Sequence, residues 1–108
     1  MMSRVNKPVV LPRPESITIG GKDFEVRVDD SETSARGRDG CCDPITESIC
    51  IASHLPGPWK SSTLIHEIME AINTIWLADT MSHDDIDRLG EAFYQAMTSM
   101  GIEIDWSV

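Results

Sequence analysis

Cations are scarce in this chain. Its 108 residues hold nine Lys and Arg against eighteen Asp and Glu, a formal net charge of −9. Direct binding to nucleic acid is not expected, because lysine and arginine drive it by displacing phosphate counterions. The scarcity is uneven. Residues 1–54 carry seven basic and nine acidic groups, whereas 55–108 carry two basic groups, Lys60 and Arg88, against nine acidic ones. The C-terminal half is an acidic body, suited to solubility and to a basic protein partner or a cation. No apolar run approaches the ~18 residues of a membrane span, so no membrane partner is expected. The first 13 residues include Arg4, Lys7 and Arg13 but no long apolar segment, and do not read as a secretion signal. Cysteine is limited to Cys41, Cys42 and Cys50. An odd count with two neighbours implies no simple disulfide framework and points to a reducing, intracellular setting. A phosphate-cradling loop is missing too, since Gly20-Gly21 has neither the lysine nor the following helix that such a loop needs.

What remains is an ordinary globular composition, 41% hydrophobic and 25% charged. The length suits one domain with a modest core. Prolines at 8, 12 and 14 make residues 1–15 an extended or disordered N-terminal arm, with 16–108 as the single domain. Ile17 and Ile19 alternate with polar residues before Gly20-Gly21, and Phe24, Val26 and Val28 alternate after it, the pattern of a hairpin. Residues 29–44 are polar and read as a long loop. A further strand is expected over 45–53, followed by a break at Pro56-Gly57-Pro58.

From Ser61 to Asp79 the period becomes helical, with Leu64, Ile65, Ile68, Ile72, Ile75 and Trp76 forming one apolar stripe. Ser82 is a good N-cap for a second helix, with Asp84 and Asp85 in its first turn. That helix carries Ile86, Leu89, Phe93, Met97 and Met100 on one face and ends at Gly101. Ile102, Ile104 and Trp106 suggest a short closing segment, and the three tryptophans are expected in core or edge packing. The expected class is α+β: a small antiparallel sheet, a hairpin plus a further strand, packed against two antiparallel helices.

The chemistry concentrates in residues 63–73, Thr-Leu-Ile-His-Glu-Ile-Met-Glu-Ala-Ile-Asn. His66 and Glu70, four residues apart on a helix, reach the same point in space and form a chelating pair for a divalent metal. Glu67 holds the position of the general base in the H-E-x-x-H motif, the residue that takes a proton from metal-bound water. Here the motif reads H-E-x-x-E. A carboxylate in place of the second histidine suits zinc and makes manganese or iron more credible. An ordinary solvated helix face has the same composition, and that reading stands beside the functional one.

At Ser62–Asn73, His83 and Tyr94-Gln95 the chain resembles short phage and prophage proteins that look like reduced zincin metallopeptidases. The resemblance is specific at 62–73 and looser over the rest of 16–100. It implies a minimal zincin-like core, a sheet edge able to hold a substrate strand, and location in the cytoplasm of a bacterial host. It also implies a third ligand on the second helix. Glu91 has a plausible separation but a solvent-facing phase, Gly90 stands where an inward carboxylate would be, and His83 is the preferred candidate, with Asp87 one turn beyond. The expected site is thus His66, Glu70 and His83 around zinc, with Glu67 as catalytic base, in a small peptidase-like phage accessory protein acting on a peptide or protein. The alternative is an inactive acidic protein that engages a basic host or phage partner. A third possibility is a helix pair that builds an oligomer. Cys42, Cys50 and His54 form a weaker metal candidate, since the close C-x2-C knuckle is missing, and a cysteine nucleophile with His66 or His83 stays open.

Overall fold

The computed structural model describes residues 6–30 and 38–107. Among them run β1 (Val9–Pro12), β2 (Ser16–Ile19), β3 (Lys22–Val28), β4 (Gly40–Asp43), β5 (Ser48–Ile51), α1 (Gly57–Trp76), α2 (His83–Ser99) and β6 (Ile102–Asp105). The class is α+β: among the described residues are two helices, a small four-stranded sheet and a separate two-stranded one. Among the described residues no helix is long and apolar enough to cross a membrane.

The hairpin forms where the alternation places it. Strands β2 and β3 pair antiparallel, with Ile17 opposite Phe24. Gly20 and Gly21 both take positive φ, +59° and +78°, as a tight two-residue turn requires. A side chain at Gly20 would also collide with Ile75 of α1.

The four-stranded sheet is mixed, not antiparallel throughout. Its order is β2-β3-β5-β4, and β5 runs parallel to β3. The cause is β4. Leaving β3, the chain crosses to the outer edge, returns along β4, and turns back into β5 beside β3, so the inserted reversal sets β5 in the direction of β3. Residues 40–43 therefore form a strand where a loop was expected. Gly-Cys-Cys-Asp is too short and too weakly apolar to display alternation. Residues 31–37 of that expected loop lie outside the described residues. Asp43 closes the β4–β5 turn by accepting from the amides of Ile45 and Thr46 at 2.9 and 3.3 Å.

Helix α1 lays Leu64 and Ala71 on Phe24, Val26, Ile49 and Ile51, with Ile68, Ile72 and Ile75 at the margin. It begins at Gly57, earlier than the Ser61 start expected, with Pro58 in its first turn. Proline suits that place because the amide it lacks would have no intrahelical acceptor. The helix ends at Trp76, and Ala78 and Asp79 take left-handed φ in the turn beyond.

Helix α2 packs on α1 and β6. Ser82 caps it, its hydroxyl accepting from the Asp85 amide at 3.1 Å. Of its expected apolar face only Ile86 is buried, while Leu89, Phe93 and Met100 stand exposed. The helix leans on α1 through the narrow strip of Ile86 and Gly90, which leaves those residues outside the contact. Trp59 and Trp76 are likewise exposed, whereas Trp106 packs against the core and donates to Ser61 Oγ at 2.8 Å. Within the N-terminal arm, Val9–Pro12 pairs parallel with β6, and the Val9 amide donates to Gly101 O at 2.7 Å.

Candidate metal centre

Four side chains with metal-ligating chemistry meet between the antiparallel helices. His66 and Glu70 come from consecutive turns of α1, and His83 and Asp87 from the first turns of α2. His66 Nε2 lies 3.5 Å from Glu70 Oε1, and His66 Nδ1 lies 3.2 Å from Asp87 Oδ1. His83 Nδ1 is 3.3 Å from the same Glu70 oxygen, and its Nε2 is 4.0 Å from the same Asp87 oxygen. The two imidazoles meet edge to face with centroids 5.8 Å apart. Each histidine thus stands between two carboxylates, one from each helix. Ligand atoms of His66, His83 and Asp87 all lie within 4.8 Å of one another, the span of a metal coordination sphere.

The structure brings His66, Glu70 and His83 together and adds Asp87. Glu70 bridges the two histidines on the side away from Asp87. The second pair was legible as His83-x3-Asp87, the spacing of His66-x3-Glu70, because residues four apart share a helix face. Glu91 is exposed, as its phase implied. Gly90 is a contact point: a Cβ there would stand 3.6 Å from His66 Cα, so the missing side chain lets α2 approach the backbone that carries the site.

Asn73 sets where His83 stands. Buried near the end of α1, it accepts from the Met81 amide at 3.0 Å and donates to Met81 O at 3.3 Å. Its own carbonyl accepts from the amides of Leu77 and Asp79. One residue therefore holds both ends of the interhelix turn and fixes the start of α2, where His83 lies opposite Glu70.

Glu67 lies on the core side of His66, 6% exposed. Burial, and then the charge of Glu70, push its carboxyl up to about 7, against a smaller opposing pull from Arg38. Glu67 lines a cleft of about 640 Å³ together with His66, Glu70, His83, Asp87 and Cys42. Edge strand β4 forms the opposite wall. Gly40 allows this closeness, since a Cβ there would fall 2.6 Å from Thr63 Cγ2 and 3.3 Å from Glu67 Cγ.

The cysteines do not assemble a rival site. Cys42 pairs with Ile49 and Cys41 with Cys50, so Cys42 and Cys50 point to opposite faces of the sheet. His54 is exposed, and among the described residues the one cluster of three metal-capable groups is His66, His83 and Asp87. Burial, reinforced by the charges of Glu67 and Glu70, pushes the Cys42 thiol up to about 12. A thiol so strongly protonated is a poor nucleophile at neutral pH. Comparisons with family models, curated proteins and solved structures find no match for the chain.

Proposed function

We propose that the chain is a small metal-dependent hydrolase of zincin type, acting on a peptide or protein. One observation carries this reading: two histidines and a carboxylate from two helices converge beside a buried glutamate in one open cleft. Two imidazoles and one carboxylate suit zinc, and the same set accommodates iron or manganese. His66, His83 and Asp87 would hold the ion. Glu70 would accept the remote N–H of both imidazoles, fixing their tautomers as carboxylates commonly do for metal-bound histidine. The ion, when bound, supplies a Lewis acid that acidifies water and polarises a carbonyl. Glu67 would take the water proton. Strand β4 supports a peptide substrate, because among the described residues it is an edge of the sheet beside the cleft, and a sheet edge offers backbone groups to an extended chain. The bacterial host cytoplasm belongs to this proposal through the phage resemblance.

The test is metal content of the purified protein by elemental mass spectrometry, beside His66→Ala, followed by hydrolysis of a peptide library by the loaded protein and by Glu67→Gln. About one equivalent lost in His66→Ala, and cleavage lost in Glu67→Gln with metal retained, is expected. No metal uptake from zinc, manganese or iron would refute the reading. The exposed apolar side chains of α2 and the acidic C-terminal half would then favour an inactive protein that binds a basic partner.

A further inference from the structure

Among the described residues one cation lines the cleft. Arg38 stands at its wall among Asp39, Glu67, Glu70 and Asp87. Three of these acids have other engagements. The Asp39 carboxylate accepts from Trp59 Nε1 at 3.0 Å, while Glu70 and Asp87 face the histidines. Among the described residues no ion pair within 4.0 Å includes Arg38. Its position is nevertheless anchored. The next residue, Asp39, is held at its side chain by Trp59 and at its carbonyl by the Ala52 amide, 2.8 Å away.

A guanidinium that lines this cleft with no carboxylate of the described residues at ion-pair distance has the chemistry of a substrate-anion receptor. Its planar fork matches a carboxylate in two parallel hydrogen bonds. The surrounding acids narrow the choice of anion. A phosphate or polyanion would bring two or more negative charges against those four carboxyl groups, whereas a carboxylate brings one, which the guanidinium matches. Resting on the proposed hydrolase reading, we infer that Arg38 is a specificity residue that binds a carboxylate of the peptide substrate. That carboxylate belongs either to the peptide's C-terminus or to an acidic side chain.

The probes are succinyl-hydroxamate dipeptides, which chelate an active-site metal at one end, titrated calorimetrically into the zinc-loaded protein. One pair differs in a free or amidated C-terminus. A second pair, amidated throughout, differs in Asp or Asn. Tighter binding of the carboxylate member of a pair, by about tenfold, is expected, and the pair that shows it identifies the source. Arg38→Gln is expected to erase the difference while leaving the amide members unchanged, and Arg38→Lys to restore part of it. Equal binding within both pairs, or a preference that survives in Arg38→Gln, overturns this inference alone. Failure of all four compounds to bind, or of zinc to load, overturns the metal reading and this inference with it.

Discussion

Replacing Glu67 by glutamine should make the metal-free protein more stable and leave the metal-loaded protein catalytically dead. Glu67 is 6% exposed, and burial with the charge of Glu70 moves its carboxyl from 4.5 to about 7. An acid whose folded pKa is raised resists ionisation in the fold. Below 4.5 the group is protonated in both states and adds nothing. Between 4.5 and about 7 the folded state holds a proton that the unfolded chain has lost, so this group's contribution becomes steadily less favourable as pH rises. Above about 7 the full penalty applies. At ~1.36 kcal/mol per tenfold change in proton affinity, it amounts to about 3 kcal/mol. Glutamine keeps the shape and carries no charge. The chelator-treated variant should therefore match the parent near pH 4 and exceed it by about 3 kcal/mol at pH 8. For a domain of this size that gain raises Tm by roughly 10–20 °C. Thermal melts followed by circular dichroism between pH 4 and 8.5 measure it. Stability curves that stay parallel across this range would refute the assignment of a strained, buried carboxylate. Hydrolysis measured after zinc is restored to both proteins adds the functional half, since stability given up at one side chain is the mark of a group kept for chemistry.

Four further outcomes follow from the same geometry. His83→Ala and Asp87→Asn should each weaken zinc affinity by well over tenfold, and Glu70→Gln by about 10–100-fold through loss of the partner for both imidazoles; competition with a chromophoric chelator reads all three, and full affinity in Asp87→Asn would remove that residue from the site. Asn73→Ala strands the Met81 amide and carbonyl, so it should cost about 1–3 kcal/mol in urea unfolding and lower metal affinity without touching a ligand. Gly90→Ala should be tolerated at its 3.6 Å approach to His66, whereas Gly90→Leu should push the helices apart at a cost of about 1–3 kcal/mol and weaken metal binding in parallel. Gly40→Ala meets Thr63 Cγ2 at 2.6 Å and backbone Cys50 O at 3.0 Å, so it should destabilise by a similar amount and lower activity by moving β4 off Glu67; unfolding curves equal to the parent would show that the close approach is dispensable.

Local pattern made the hairpin, both helices, the Ser82 cap and the Gly101 terminus legible, because each depends on residues within a few positions of one another. The i,i+4 pair His66 and Glu70, with Glu67 beside it, was legible for the same reason: helical spacing alone places them. Strand β4 was not. Four residues with one glycine, two cysteines and an aspartate carry no alternation, and their strand state comes from pairing with β5. The parallel register of β3 and β5 follows from that unseen strand. Nor could spacing show that Leu89 and Phe93 face solvent, since an apolar stripe marks a face without saying whether anything covers it. The site divides along the same line. Sequence alone determined which groups α1 offers. Tertiary structure decided that Asp87 joins them, that Glu70 serves two histidines, that Arg38 reaches the cleft, and that Glu67 is dry enough to hold a proton near neutrality. These depend on how closely α2 and β4 approach α1, and that distance is set by Gly90, Gly40 and the Asn73 turn acting across the fold.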